Sequence, residues 1–146
     1  MAPGSLAGMS DVERTLVLLK PDAVRRGLVG TIVGRYEAKG LALAALELRR
    51  IDAAMADRHY SDHVEKGWYP QLRDFITSGP LVAMVVEGPG AIDVVRSMNG
   101  ATNAAVAAPG TIRGDLALSN QQNLVHASDS AESAAKELGL WFPNLG

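Results

Sequence analysis

In Thr15-Leu16-Val17-Leu18-Leu19-Lys20-Pro21-Asp22, five mostly branched, mostly apolar residues run into a cation, a proline and a turn-forming acid. A continuous run of that kind suits a buried strand, and Pro21 and Asp22 break it. Downstream, Leu28, Ile32, Val33 and Tyr36 recur at helical spacing, and Lys39-Gly40 supplies a cation and a glycine stop. A second strand carries Leu41, Leu43, Leu46 and Leu48, with a phase break at Ala44-Ala45 that suggests a bulge. Asp52 can cap a helix running through Ala53, Met55 and Tyr60 toward His63, and Pro70 can open a short helix bearing Leu72, Phe75 and Ile76. Gly79-Pro80 is a turn, and residues 81–86 read as a third buried strand. Gly88-Pro89-Gly90 separates that strand from a helix holding Ile92, Val95 and Met98, closed by Asn99-Gly100. From residue 100 to about residue 120 the pattern loosens into a long loop, and such loops in compact domains are usually functional. Leu124-Val125-His126 is a short last strand, and Asp129 or Ser130 can cap a final helix reaching Leu140. With the extra short helices set aside, the order is βαββαβ plus a terminal helix. That order predicts an α/β (α+β) ferredoxin-like sandwich with an antiparallel four-stranded sheet and a long loop before the last strand.

The chain has 146 residues, 47% of them hydrophobic, which suits one core and would leave each half of a divided chain near the lower limit for burying enough apolar surface. A single domain is expected over residues 11–146. Residues 1–10 read as a flexible lead or an expression remnant, with Met9 as an alternative start. With 14 basic and 16 acidic side chains, no broad electrostatic surface for nucleic acid is evident, and nucleic acid is not expected as a partner. The absence of cysteine excludes disulfides and thiol chemistry. No apolar run reaches the roughly 18 residues that a spanning helix needs, so no membrane is expected. Met1-Ala2-Pro3-Gly4-Ser5-Leu6-Ala7-Gly8 lacks the basic start and sustained apolar stretch of a signal peptide. A cytoplasmic location is the expectation.

The three histidines fall in two places. His59 and His63 are four apart on one predicted helix and would share a face. Without an HExxH acid or a cysteine, a polar cleft wall or a solvated face explains them better than a metal site. His126 ends a short apolar strand and precedes the small or polar Ala127-Ser128-Asp129-Ser130. A histidine there can reach a cleft while the sheet fixes its backbone. Neutral imidazole is a competent nucleophile near neutral pH, provided a partner such as Glu137 sets its tautomer. Read by composition alone, a buried, hydrogen-bonded histidine explains His126 better than a nucleophile does. A phosphate site calls for guanidinium groups, hydroxyls and amides. Lys20, Arg96, Thr102 and Arg113 have the right chemistry, although spacing does not show them converging. There is no GxxxxGK[ST] run and no protein-kinase motif, so phosphoryl transfer would need another scaffold.

The segment Asn123-Leu124-Val125-His126-Ala127-Ser128-Asp129-Ser130 resembles the signature of the nucleoside diphosphate kinase family around its phosphorylated histidine. Arg14-Thr15-Leu16 leading to Lys20-Pro21-Asp22, then Arg26-Gly27-Leu28-Val29-Gly30, resembles the family's amino-terminal strand and turn, and His59-Tyr60, Ser78-Gly79-Pro80, Gly100-Ala101-Thr102-Asn103 and Pro109-Gly110-Thr111-Ile112-Arg113-Gly114-Asp115 resemble further family blocks. These blocks stand in family order from about residue 12 to residue 143.

The resemblance implies a ferredoxin-like sandwich and a ping-pong reaction that moves a terminal phosphate from a nucleoside triphosphate to a nucleoside diphosphate. It implies that His126 attacks through Nδ1, that Glu137 bonds the other ring nitrogen and Ser128 supports Glu137, and that Tyr60 lies beside the imidazole. It further implies that Arg96, Thr102, Arg113 and His63 hold phosphates, and that Lys20 and Asn123 contact the sugar hydroxyls, with Lys20 also near the transferred phosphate. Trp68 and Leu72 would sandwich the base, Trp68 standing where phenylalanine is common. Mg2+ would arrive with the nucleotide, Asp129 acting on it through water. A homohexamer is favoured, with a homotetramer as the alternative. Three departures from the family pattern are noted: Asn120-Gln121-Gln122 near the base site, Ala104 in place of a loop proline, which would loosen the loop and weaken subunit contacts, and Ala127 beside the nucleophile. Members that bind nucleotides without transferring phosphate usually lack the histidine or its phosphate-binding neighbours, and this chain keeps them all.

Overall fold

A computed structural model describes residues 12–145. The lead expected over residues 1–10 lies outside them. The elements in order are β1 (Val12–Leu19), α1 (Pro21–Arg25), α2 (Val29–Lys39), β2 (Ala42–Arg49), α3 (Ala53–His59), α4 (Tyr69–Ile76), β3 (Leu81–Pro89), α5 (Ala91–Asn99), a 3-10 turn (Ala104–Val106), α6 (Ile112–Leu116), β4 (Val125–Ala127) and α7 (Ala131–Trp141). The sheet order is β2-β3-β1-β4 and every pairing is antiparallel. This is the expected ferredoxin-like arrangement.

Continuous apolar runs in β1 and β3 follow from burial on both sides. Val17 and Leu19 join the cluster beneath α2 and α5, with Ile32, Tyr36 and Val95. Leu16 and Leu18 face the opposite way, against Ala56 of α3, Ile76 of α4 and Trp141 of α7. A strand with polar alternation would leave one of these layers without a partner. Edge strand β2 is different: its register slips between Leu43 and Ala45, the bulge expected at Ala44-Ala45, and Leu46 and Leu48 remain exposed.

Several details differ from the sequence expectation. Pro21 ends β1 but also opens α1, because a proline at the first helical position presets φ and removes an amide that would lack a partner. The third strand extends to Pro89, and the turn reduces to Gly90 in the left-handed region. Helix α3 stops at His59, with Tyr60 as its C-cap. Tyr60-Ser61-Asp62 is a poor helical sequence, and successive turns carry the chain on through His63 and Lys66. His59 and His63 therefore do not share one helix. The long loop contains a 3-10 turn and α6, both too short for periodicity to reveal. Ser130, not Asp129, caps α7, accepting from the Ser133 amide at 3.0 Å.

Candidate active site

A cleft of about 500 Å³ opens beside β4, between the long loop, α7 and the chain following α3. His126 lines it. Leu18 of central strand β1 pairs with His126, so its backbone is fixed, and Val125 and Ala127 on either side are buried. The His126 side chain thus takes the cleft-facing position of a three-residue strand.

His126 Nε2 lies 3.0 Å from Glu137 Oε1. Ser128 Oγ donates to the same carboxylate oxygen at 2.8 Å, and it accepts from the Leu16 amide at 3.3 Å, so the amide of β1 helps orient the hydroxyl. A carboxylate beside Nε2 favours the Nε2–H tautomer and leaves the Nδ1 lone pair free. Among the described residues nothing is hydrogen-bonded to Nδ1. Burial pushes the Glu137 carboxyl up, but the hydrogen bond and charge of His126 and the Ser128 hydroxyl outweigh burial and hold it below the ordinary carboxylate value. It is therefore ionised at neutral pH.

His59 acquires a definite place that the sequence did not reveal. The Trp141 indole N–H donates to His59 Nδ1 at 3.0 Å, and the His59 ring stands edge-on to His126 with centroids 4.7 Å apart. Burial, then the neighbouring His126, push its pKa down to about 3, so it is neutral. His59, His126 and Glu137 bring potential ligand atoms within 4.8 Å of one another. That cluster is a poor metal site. Indole can only donate, so His59 carries its proton on Nε2, and a metal there would drive the proton onto Nδ1, against the indole N–H. The only sequence signal was the His59-Tyr60 pair; Trp141 is 82 residues away.

The cationic side of the cleft is framed by the long loop. Lys20 is 8% exposed, and its Nζ donates to Asn123 Oδ1 at 2.8 Å. Burial and then Arg113 lower its pKa to about 8, with Asp22 opposing them. Asn123 Nδ2 in turn donates to the Thr102 carbonyl at 2.9 Å. Arg113 is equally buried and donates to the carbonyls of Asn123, Gly100 and Val125 at 3.3, 2.8 and 2.7 Å. With three of five N–H groups spent on the backbone, it holds the loop against β4 and retains two for an anion. Arg96, in the last turn of α5, and Thr102 are exposed and also line the cleft.

On the opposite wall stand Tyr60, His63 and Leu72. Burial, then Tyr69 and Glu137, push the Tyr60 hydroxyl up, so it stays protonated and able to donate. Trp68 is 50% exposed and therefore not an interior aromatic. It does not line the cleft itself but packs on His63, with ring centroids 5.3 Å apart and Lys66 Nζ above its face. Asp129 sits exposed at the rim, its carboxyl held below the ordinary value chiefly by the Ser133 hydroxyl. Arg58 and Lys136 also reach the cleft, and nothing in the sequence marks either. Both lie on exposed helix faces, where a cation has no distinctive pattern. Eleven of the thirteen expected site residues thus line one cleft; Ser128 sits behind it and Trp68 beside it.

A family model for nucleoside diphosphate kinase matches residues 13–145. The chain belongs to the nucleoside diphosphate kinase family. It is 68% identical over 132 residues to a nucleoside diphosphate kinase of Nocardioides sp., a match covering 90% of this chain and 98% of that one. It is 64% identical over 137 residues to the corresponding protein of Cutibacterium acnes, covering 94% and 99%. Among solved structures, the nucleoside diphosphate kinase of Halobacterium salinarum in complex with CDP superposes with a TM-score of 0.88 at 47% identity, covering 90% of this chain and 88% of that one. A nucleoside diphosphate kinase family protein from Babesia bovis gives 0.88 at 45% identity, covering 91% and 90%. Membership makes this chain a nucleotide-binding phosphotransferase, and the cleft is where its chemistry has to be sought.

Proposed function

We propose that the chain moves the γ-phosphate of a nucleoside triphosphate to a nucleoside diphosphate through His126 Nδ1, in two separate half-reactions. The observation that carries this reading is the 3.0 Å contact of His126 Nε2 with Glu137, which leaves the other ring nitrogen facing a cleft rich in cations. In the first half-reaction the Nδ1 lone pair attacks the γ-phosphorus. An N–P bond forms, the P–O bond to the β-phosphate breaks, and the diphosphate leaves with that electron pair. The imidazole gains positive charge while Nε2 keeps its proton, and the Glu137 carboxylate stabilises that charge. The second half-reaction is the reverse, with a different diphosphate as acceptor. No base is needed to deprotonate a substrate hydroxyl.

Arg96, Thr102, the two unspent Arg113 donors and His63 are the groups suited to the phosphate oxygens. Lys20 and Asn123 are suited to the sugar hydroxyls, and Lys20 also to the transferred group. Tyr60 donates beside His126. Leu72 and Trp68 are suited to a base by packing and stacking, which any base allows. Half-exposed Trp68 would have to turn from His63 to stack on a nucleotide. The exposed Asp129 carboxylate at the rim suits a largely hydrated Mg2+ that arrives with the nucleotide better than it suits an all-protein cage. The ion supplies charge neutralisation on the phosphates when bound.

A single domain over residues 11–146, a cytoplasmic location and self-association belong to the same reading. None of the helices formed by the described residues is long and apolar enough to cross a membrane. Exposed Leu46 and Leu48 on edge strand β2, and Val106 on the loop, favour a homo-oligomer; the preference for a hexamer over a tetramer rests on the family resemblance.

The test is the intact mass of the protein after brief mixing with ATP and magnesium, quenched in alkali. One added phosphate, lost on adding GDP with GTP formed and absent in His126→Ala, is the expected result. A folded protein that binds nucleotide but gains no phosphate would make this a binding module instead.

A further inference from the structure

Among the described residues, Leu124 alone has a positive φ (75°) without being glycine, and its side chain is fully buried. The Val125 amide donates to the Asn123 carbonyl at 2.8 Å, two residues back. Residues 123–125 therefore form a γ-turn of the rare, strained hand. Such a conformation persists only where its surroundings hold it, and it costs on the order of 1 kcal/mol or more.

Both polar groups of Leu124 are held from outside β4. Its amide donates to Asp22 Oδ2 at 3.1 Å, and its carbonyl accepts from the Lys20 amide at 2.8 Å. Only the first of these contacts uses a side chain. Asp22 comes from α1, on the far side of Pro21, and is 2% exposed. Its other oxygen, Oδ1, is buried and accepts nothing from the described residues. Attraction for the Lys20 ammonium offsets part of the cost of burying this carboxylate, but one hydrogen bond to one amide is a poor return in stability for the rest. It does fix one backbone angle, and that angle lies between Asn123 and His126.

We propose that Asp22 is a positioning residue for phosphoryl transfer: its carboxylate clamps the Leu124 amide and so holds the γ-turn that sets Asn123 and His126 relative to each other. This rests on the reading of His126 as nucleophile and of Asn123 and Lys20 as sugar contacts. Without the clamp, Leu124 relaxes toward negative φ and the direction of the chain changes between the two residues. Asn123 then loses its position against Lys20 Nζ, and the sugar and the reacting nitrogen fall out of register. Asp22 acts through Leu124, beside its attraction for the Lys20 ammonium, and touches no reacting atom.

The test compares wild type, Asp22→Asn, Asp22→Ala and the double variant Asp22→Ala/Leu124→Gly. Each is assayed for single-turnover phosphorylation of His126 by ATP, and for the ratio of kcat/KM with GDP to that with 2′,3′-dideoxy-GDP. Asparagine keeps an acceptor oxygen for the amide, and glycine adopts the turn without help. Expected are a tenfold or greater loss of both the phosphorylation rate and the sugar discrimination in Asp22→Ala, most of each retained in Asp22→Asn, and partial recovery in the double variant. If Asp22→Ala fails to fold, the asparagine and double variants still decide the matter. Wild-type discrimination and rate in Asp22→Ala, losses in Asp22→Asn as deep as those in Asp22→Ala, or no activity in a folded double variant would each overturn the clamp. Absence of phosphate on wild-type His126 would instead overturn the functional reading beneath it.

Discussion

Two buried titratable side chains, Lys20 and His59, give the site its pH behaviour; burial lowers both pKa values, so both make stability rise with pH, in different windows. Lys20 has a folded pKa of about 8, below its ordinary 10.5. The folded state therefore bears the full cost of a buried ammonium below pH 8, roughly 3 kcal/mol, and that cost fades as pH rises toward 10.5. Phosphorylation by ATP under kcat/KM conditions is expected to decline as pH rises through about 8, when the ammonium is lost. Lys20→Met is expected to lower activity at least 100-fold yet raise the urea midpoint, since the Asn123 bond it removes is worth less than the burial it relieves. His59 is neutral when folded, with a pKa of about 3 against an ordinary 6.5. Above pH 6.5 it costs nothing by titration, and the penalty grows as pH falls through 6.5 toward 3, to about 5 kcal/mol in all. His59→Gln, which can still accept from Trp141, is expected to flatten the fall in urea stability between pH 7 and pH 4; an unchanged slope would contradict the assignment. His126 and Glu137 were legible in the sequence because a strand end and a following helix put them near each other. His59 was not, because its tautomer is set by Trp141, which no local pattern connects to it.

At the scale of elements, the loop from residue 100 to 120 is tied down more than its composition suggests. Thr111 caps α6 and donates to the Ala108 carbonyl, Asp115 pairs with Arg35 at 2.8 Å, and Arg113 grips three carbonyls. Ala104, expected to loosen this loop in place of a proline, is 5% exposed and packs in the core beneath it. A Cβ on Gly114 would overlap the Ala108 carbonyl oxygen and crowd the Thr111 hydroxyl. Gly114→Ala is expected to destabilise by roughly 3 kcal/mol and to lower kcat/KM for nucleotides as Arg113 shifts. Wild-type thermal stability in that variant would show that the loop yields. The long strands and helices were readable from the spacing of apolar residues, and the β2 bulge from a break in that spacing. Helices α1 and α6 have five residues each, and a single turn has no period to read. The end of α3 was missed because Tyr60 continues the apolar spacing that the backbone abandons.

The whole molecule sets two layers of helices on an antiparallel sheet whose uncovered edge, β2, keeps Leu46 and Leu48 in solvent. Replacing both leucines with lysine is expected to reduce the molar mass in solution by light scattering while leaving each chain folded; an unchanged mass would remove β2 from the interface. On the proposed mechanism the architecture has to place one ring nitrogen. β1 holds the backbone of His126, α7 brings Glu137 to Nε2, and the loop carries the cations around the cleft. The most direct test of that account is a long-range proton–nitrogen NMR spectrum of 15N-histidine-labelled protein after phosphorylation by ATP. The expected result is a phosphorus coupling at Nδ1 of His126 with Nε2 still protonated. Phosphate on Nε2, or on any residue other than His126, would contradict it.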